Sequence, residues 1–200
     1  MVYPGEQLNL HIFEPRYKQL IKECFNTKKP FGIPPVIDNK MKDTGTAVKV
    51  LEITTEYDDG KMDIKTEGLE VFTILELITA LPDKLYSGAI VTYPLNTSTG
   101  NNALMLIIVA AIRQLHKLLK INKEFKRPDT ALLSYDVAHH AGLSLTEEYE
   151  LLQLLQELQR QDYLNRHLKK VIPVIAQMET LKERIQLNGH FKNLKGLDGL

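Results

Sequence analysis

Apolar and polar residues alternate near the start of the chain, where Leu8, Leu10 and Ile12 interleave with Gln7, Asn9 and His11. A period of two is that of a half-buried strand. The preceding Val2-Tyr3-Pro4-Gly5-Glu6 reads as a turn, with Pro4 at its first corner and Gly5 at a positive φ. At Glu14-Pro15 the period changes. Tyr17, Leu20, Ile21 and Cys24 recur at helical spacing, and a first helical turn accepts proline, so a helix is expected over 14–26. Phe31–Ile37, interrupted by Pro34-Pro35, is an edge or irregular strand. Thr46–Tyr57 and Lys61–Leu77 are rich in β-branched residues and flank Asp58-Asp59-Gly60, a hairpin signal. In the first arm the inward positions switch phase, from Val48 and Val50 to Leu51 and Ile53, which points to a β-bulge. Gly68 marks another bend, and Leu85–Tyr93 is a last strand before Pro94.

Beyond the polar stretch 96–102 the spacing becomes helical throughout. Leu104–Leu119 predicts an apolar helix buried on most faces, and 122–131, with Pro128, a connection. Ser144 and Glu147 form a capping box opening a helix with Leu151, Leu152, Leu154, Leu155 and Leu158. Asp162 then caps a final helix through Leu187, kinked at Pro173 and stopped by Asn188-Gly189. The expected organisation is a β-rich domain over 1–95, a helical subdomain over 101–190 and a frayed tail over 191–200.

Composition narrows the function. Lys plus Arg and Asp plus Glu are 25 each, giving zero net charge. A dedicated nucleic-acid binder normally carries a basic excess to neutralise phosphates, so that class is disfavoured. The single cysteine, Cys24, excludes an intramolecular disulfide and suits a reducing compartment. Ala103–Ile112, the longest apolar run, is about half of the ~20 residues that span a bilayer. The start of the sequence lacks the charged and apolar regions of a signal peptide. These readings give a cytoplasmic protein with no membrane association.

Candidate chemistry is sparse. Gly60-Lys61 continues with Met62 and lies in a turn, so it is no phosphate loop. Ser87, Ser98, Ser134 and Ser144 lie outside any GxSxG elbow. Adjacent His139 and His140 point about 100° apart on a helix and are poorly placed to share a metal. Cys24 falls on an apolar stripe and reads as a buried inert thiol. Arg113, Lys117, Lys120, Lys123, Lys126 and Arg127 form a basic cluster that reads as a solvated face, with nucleic acid or an acidic partner as the alternative. Asp58, Asp59, Asp63 and Glu67 sit at hairpin positions too exposed for a desolvated catalytic acid. No catalytic, cofactor or metal residue is expected.

One stretch carries a resemblance. Tyr3-Pro-Gly-Glu-Gln-Leu-Asn-Leu-His-Ile-Phe-Glu-Pro-Arg-Tyr17 resembles the signature of the Lon substrate-binding domain family. Gly45-Thr46 resembles that family's entry into a strand, Asp59-Gly60 its hairpin and Gly68–Ile74, with Phe72, its "G..RF.I" segment. The helical half is similar as well. The resemblance implies an α+β fold: a mainly antiparallel β pseudo-barrel of the PUA-like, Lon N-domain type, followed by a helical bundle subdomain. It also implies a non-catalytic module that binds unfolded polypeptide, exposed hydrophobic segments or a protein partner. The ATPase and Ser/Lys protease domains that follow this region in Lon lie beyond the sequence, so neither activity is expected, and no cofactor. An RNA-binding module on the same barrel is the alternative, with an enzyme using the barrel behind it.

The motif reads as structural. Pro4 and Gly5 set the turn. Leu10, Ile12 and Phe13 are core candidates. Glu14 and Arg16, flanking Pro15 and followed by Tyr17, tie the helix start to a neighbouring strand. The family strand usually found before the Pro-Gly turn is absent or short here, which predicts an open barrel edge available for self-association or for strand addition by a partner.

Overall fold

A computed structural model describes the backbone of residues 1–194 and the side chains to residue 185. Strand β1 (Gln7–Ile12) turns into helix α1 (Pro15–Thr27), followed by three short strands: β2 (Phe31–Ile33), β3 (Val36–Ile37) and β4 (Lys40–Met41). Two long strands, β5 (Thr44–Glu56) and β6 (Met62–Ile78), form the central hairpin, and β7 (Gly88–Thr92) completes the β half. All the strand pairings are antiparallel. The main sheet runs β1-β6-β5-β2, with β7 also on β6, while β3 and β4 pair only with each other. β1 takes the first part of β6, Met62–Glu67, and β7 takes Thr73–Ile78. Among the described residues these ladders do not close into a ring.

Local chemistry accounts for the sheet's shape. Gly60 sits at φ +73 in the β5–β6 turn. At the bulge the register jumps from Val50↔Thr66 to Glu52↔Lys65, leaving Leu51 as the extra residue. Leu51 is therefore exposed, not inward as the phase of the sequence suggested. A second shift lies beside Gly68, whose backbone lets the chain at Tyr3 cross closely: a β-carbon there would stand 2.3 Å from the Tyr3 carbonyl oxygen. Ile12, Ile21, Met62 and Ile64 form a small core between the sheet and α1, with Leu10 and Phe31 against it.

The helical half comprises α2 (Asn102–Leu118), α3 (Ser134–Val137), α4 (Leu145–Gln153) and α5 (Glu157–Leu194). Asn101 caps α2 by accepting from Leu104 N–H at 3.1 Å. α2 buries Met105, Ile108, Val109, Ile112 and Leu115, yet leaves Leu106 and Ile107 exposed, so one face is open. Its core is shared with the β half, because Tyr3 and Val71 pack among the helical leucines.

The last helices differ from the sequence reading. α4 stops at Gln153 and α5 begins at Glu157, so Leu158 belongs to α5 and is exposed. The linker captures the chain at the break: Thr97 N–H donates to Leu155 O and Glu157 N–H to Thr97 O. Asp162 lies within α5, paired with Arg166 at 3.1 Å, and caps nothing. The helix carries Pro173 inside it and runs past Asn188-Gly189 to Leu194. Of the expected tail, 191–194 is helical and 195–200 lies outside the described residues.

Candidate functional site

A groove of about 960 Å³ lies in the β half. It is lined by Ala47 of β5, by Phe72, Ile74 and Leu77 of β6, by Phe31 and Gly32 of β2 and by Ala89 and Val91 of β7. Helix α1 contributes Tyr17, Leu20, Glu23 and Cys24, and the β6–β7 loop adds Leu85 and Tyr86. Phe72 is buried because Gly32 and Gly45 leave room for its ring: a β-carbon at either would meet Phe72 at 2.9 and 2.6 Å. Tyr17, Leu85 and Tyr93 are 40, 65 and 49% exposed at the rim. Large apolar side chains thus remain in water around a concave opening.

The wall formed by the β6–β7 loop is latched to α1. Gln19 donates to Asp83 O at 3.0 Å and accepts from Leu85 N–H at 2.8 Å. Glu23 accepts from Lys84 Nζ and Tyr86 Oη, both at 2.7 Å. Those bonds hold the Glu23 carboxyl below its ordinary range, while burial and the adjacent carboxylate push Tyr86 up to about 12. The latch explains why β7 starts at Gly88 and not at Leu85: the Leu85 backbone donor is already taken. Burial raises the Cys24 thiol, the direction of an unreactive sulfur.

Of the motif residues from the sequence, Arg16, Tyr17 and Phe72 line the groove, and the others lie elsewhere in the β half. Pro4 and Gly5 make the turn, Gly5 at φ +82 and bonded through its N–H to Gly68 O at 2.9 Å. Ile12 is buried and Leu10 partly so, but Phe13 is 58% exposed. Period two is the reason: with Leu8, Leu10 and Ile12 inward, Phe13 falls on the other side, its ring 6.2 Å from that of His11. Glu14 caps α1 only with its backbone and pairs with Arg16 at 2.7 Å, so these two do not tie the helix to a strand. That tie comes from Lys18, which donates to Asp59 O at 2.9 Å, and from the Lys22–Glu56 pair at 2.8 Å. Pro15 occupies the first turn, and the Arg16 guanidinium lies 4.6 Å from the Tyr17 ring centre.

The remaining candidates are placed as structural or solvated groups. His139 bridges Glu148, 2.7 Å away, and Glu6, 3.2 Å away, and their bonds raise its pKa. His140 stands against His116 and Phe125, and burial lowers it. No group of three metal-ligating side chains exists among the described residues. Arg113 is held bidentately by Asp129 at 2.6 and 2.7 Å, and Arg127 pairs with Asp136 at 3.3 Å, which partly neutralises the basic cluster. Asp63, bonded to Tyr57 and His11, and Asp59, bonded to Lys61, are lowered, the opposite of what a general acid needs. Glu67 pairs with Lys49.

One cluster escaped sequence reasoning. Glu157 and Arg160 are 0 and 2% exposed and bonded at 2.9 Å. Ser134 donates to Glu157 through both N–H (2.8 Å) and Oγ (2.6 Å), and Arg160 also reaches Asn96 Oδ1, Leu154 O and Thr97 O. The set clamps the linker to the helices. An i, i+3 Glu–Arg pair at a break between leucine-rich helices was its only sequence trace.

Residues 1–170 match the family model of the ATP-dependent protease La (LON) substrate-binding domain. Among solved structures, the chain is similar to a Lon N-terminal domain protein from Xanthomonas campestris. Identity is 20%, with 82% of this chain and 91% of that one covered, at a TM-score of 0.61. It is also similar to the N-terminal domain of a Mycobacterium avium complex Lon protease, at 14% identity, 86% and 94% coverage and a TM-score of 0.58. A search of curated proteins finds no match.

Proposed function

The chain belongs to the Lon substrate-binding domain family, and from that premise we propose that it is a non-catalytic polypeptide-binding module. It takes up unfolded chains or exposed hydrophobic segments in the groove between α1 and the sheet. The observation that carries this reading is the groove itself, about 960 Å³, with Tyr17, Leu85 and Tyr93 left in water at its rim. Apolar area removed from water contributes about 25 cal/mol per Å², so such a surface rewards any chain that covers it, with little regard to order of residues. The buried thiol of Cys24 fits a cytoplasmic setting. No helix among the described residues is long and apolar enough to cross a membrane.

The test is fluorescence anisotropy of a labelled, permanently unfolded protein titrated with this one at two salt concentrations. Saturable binding that tolerates salt and is lost in a Leu85→Asp/Tyr93→Asp variant is expected. Failure to bind at about 100 μM, roughly 5 kcal/mol at the 1 M standard state, would sink the reading.

A further inference from the structure

The two terminal strands at the groove end of the sheet both line the groove. Among the described residues β2 pairs only with β5, and β7 only with β6, so each has one edge without a strand partner. Backbone N–H and C=O groups on such an edge demand partners, and an extended chain supplies them in register. A helix or a lipid tail does not: the first spends its backbone groups on itself and the second has none. Gly32 of β2 and Ala89 and Ile90 of β7 are exposed, so both strands keep a solvent-facing surface.

Charge at the rim adds a second constraint. Arg16 is paired with Glu14, and Lys84 with Glu23. Lys29, just past the end of α1, also lines the groove and makes no ion pair among the described residues. The geometry points to an added β-strand as the bound form: an extended apolar segment carrying an acidic residue, hydrogen-bonded along the edge of β2 or β7, with its carboxylate at Lys29. This rests on the polypeptide-binding reading and names the conformation and chemistry of what that site accepts. Side chains on one face of the segment meet Phe31, Val91 and Tyr17, while those on the other face stay in water.

The experiment uses the whole chain and a fluorescein-labelled peptide of roughly ten residues with valine and leucine at alternate positions and one terminal glutamate, a length that spans a typical strand. Two analogues carry backbone N-methyl groups at alternate residues, one on each edge of the strand, and a third has lysine for the glutamate. Methylation on the bonded edge removes two or three donors, so affinity falls about tenfold or more in at least one methylated analogue. The lysine analogue binds more weakly than the parent, and Lys29→Glu reverses that order. Parent and both methylated peptides binding within about twofold of each other would overturn strand addition and leave side-chain docking in the groove. An unchanged order with Lys29→Glu would overturn the carboxylate contact. If the parent fails to bind while the unfolded protein of the previous test binds, strand addition falls alone. If neither binds, the groove reading falls with it.

Discussion

Arg160 is a cation almost wholly out of water, and every one of its donor nitrogens has an acceptor. Burying an ion pair is often close to neutral in net stability, but removing one partner leaves the other charge stranded. Arg160→Ala is therefore expected to lower the unfolding free energy by about 3–5 kcal/mol, and a double Glu157→Leu/Arg160→Met change by much less. Urea denaturation measures both. A single variant costing no more than the double one would show that the pair is not the clamp it looks to be. The two adjacent histidines make a second residue-scale case. Protonated His139 is held by Glu6 and Glu148, so its contribution is complete below its ordinary value of about 6.5 and fades as pH rises through the raised folded value. His140 runs the other way: burial favours the neutral ring, so it costs stability as pH falls below about 6.5 towards the lowered folded value. NMR titration of the ring protons should give His139 a midpoint above that of free histidine and His140 one below. Coincident midpoints would contradict both assignments.

At the scale of elements, what depends on neighbours in sequence was readable and what depends on distant partners was not. The Ser144–Glu147 box is a case of the first kind. Ser144 Oγ accepts from Glu147 N–H at 3.3 Å, and Glu147 reaches back to Ser144 N–H at 2.8 Å. Ser144→Ala should cost about 1 kcal/mol, seen as a lower urea midpoint with an unchanged slope. A loss of only a few tenths would mean that α4 is set by packing alone. The β1 alternation, the β5–β6 hairpin and the bulge were visible for the same reason, since period and turn chemistry are local. Phe13 was misjudged because its type outweighed its phase. The break at 154–156 was invisible because it is made by Thr97 from the far side of the linker. The groove could not be foreseen either. Its lining comes from α1, four strands of the main sheet, Met41 of β4 and several loops, and no spacing along the chain brings Tyr17 to Val91.

Across the whole molecule, the β half and the helices are joined by residues at the start of the chain. Tyr3 is fully buried, stacked on Tyr135 with ring centres 5.0 Å apart, and its hydroxyl donates to Glu148 O at 3.1 Å. Glu6 meets His139 from the same segment. The groove is lined by the β half alone, with α1 and the β6–β7 loop among its walls. A second apolar surface exists on α5, where Val174, Met178, Leu181 and Ile185 lie exposed along one helical face, and it serves as an internal control. The most direct measurement is methyl NMR of this protein titrated with a permanently unfolded polypeptide. Shifts confined to Leu20, Leu77, Leu85 and Val91, with the α5 methyls unmoved, are the expected result. Saturable shifts on the α5 face with the groove silent would show that this family member binds its polypeptide elsewhere.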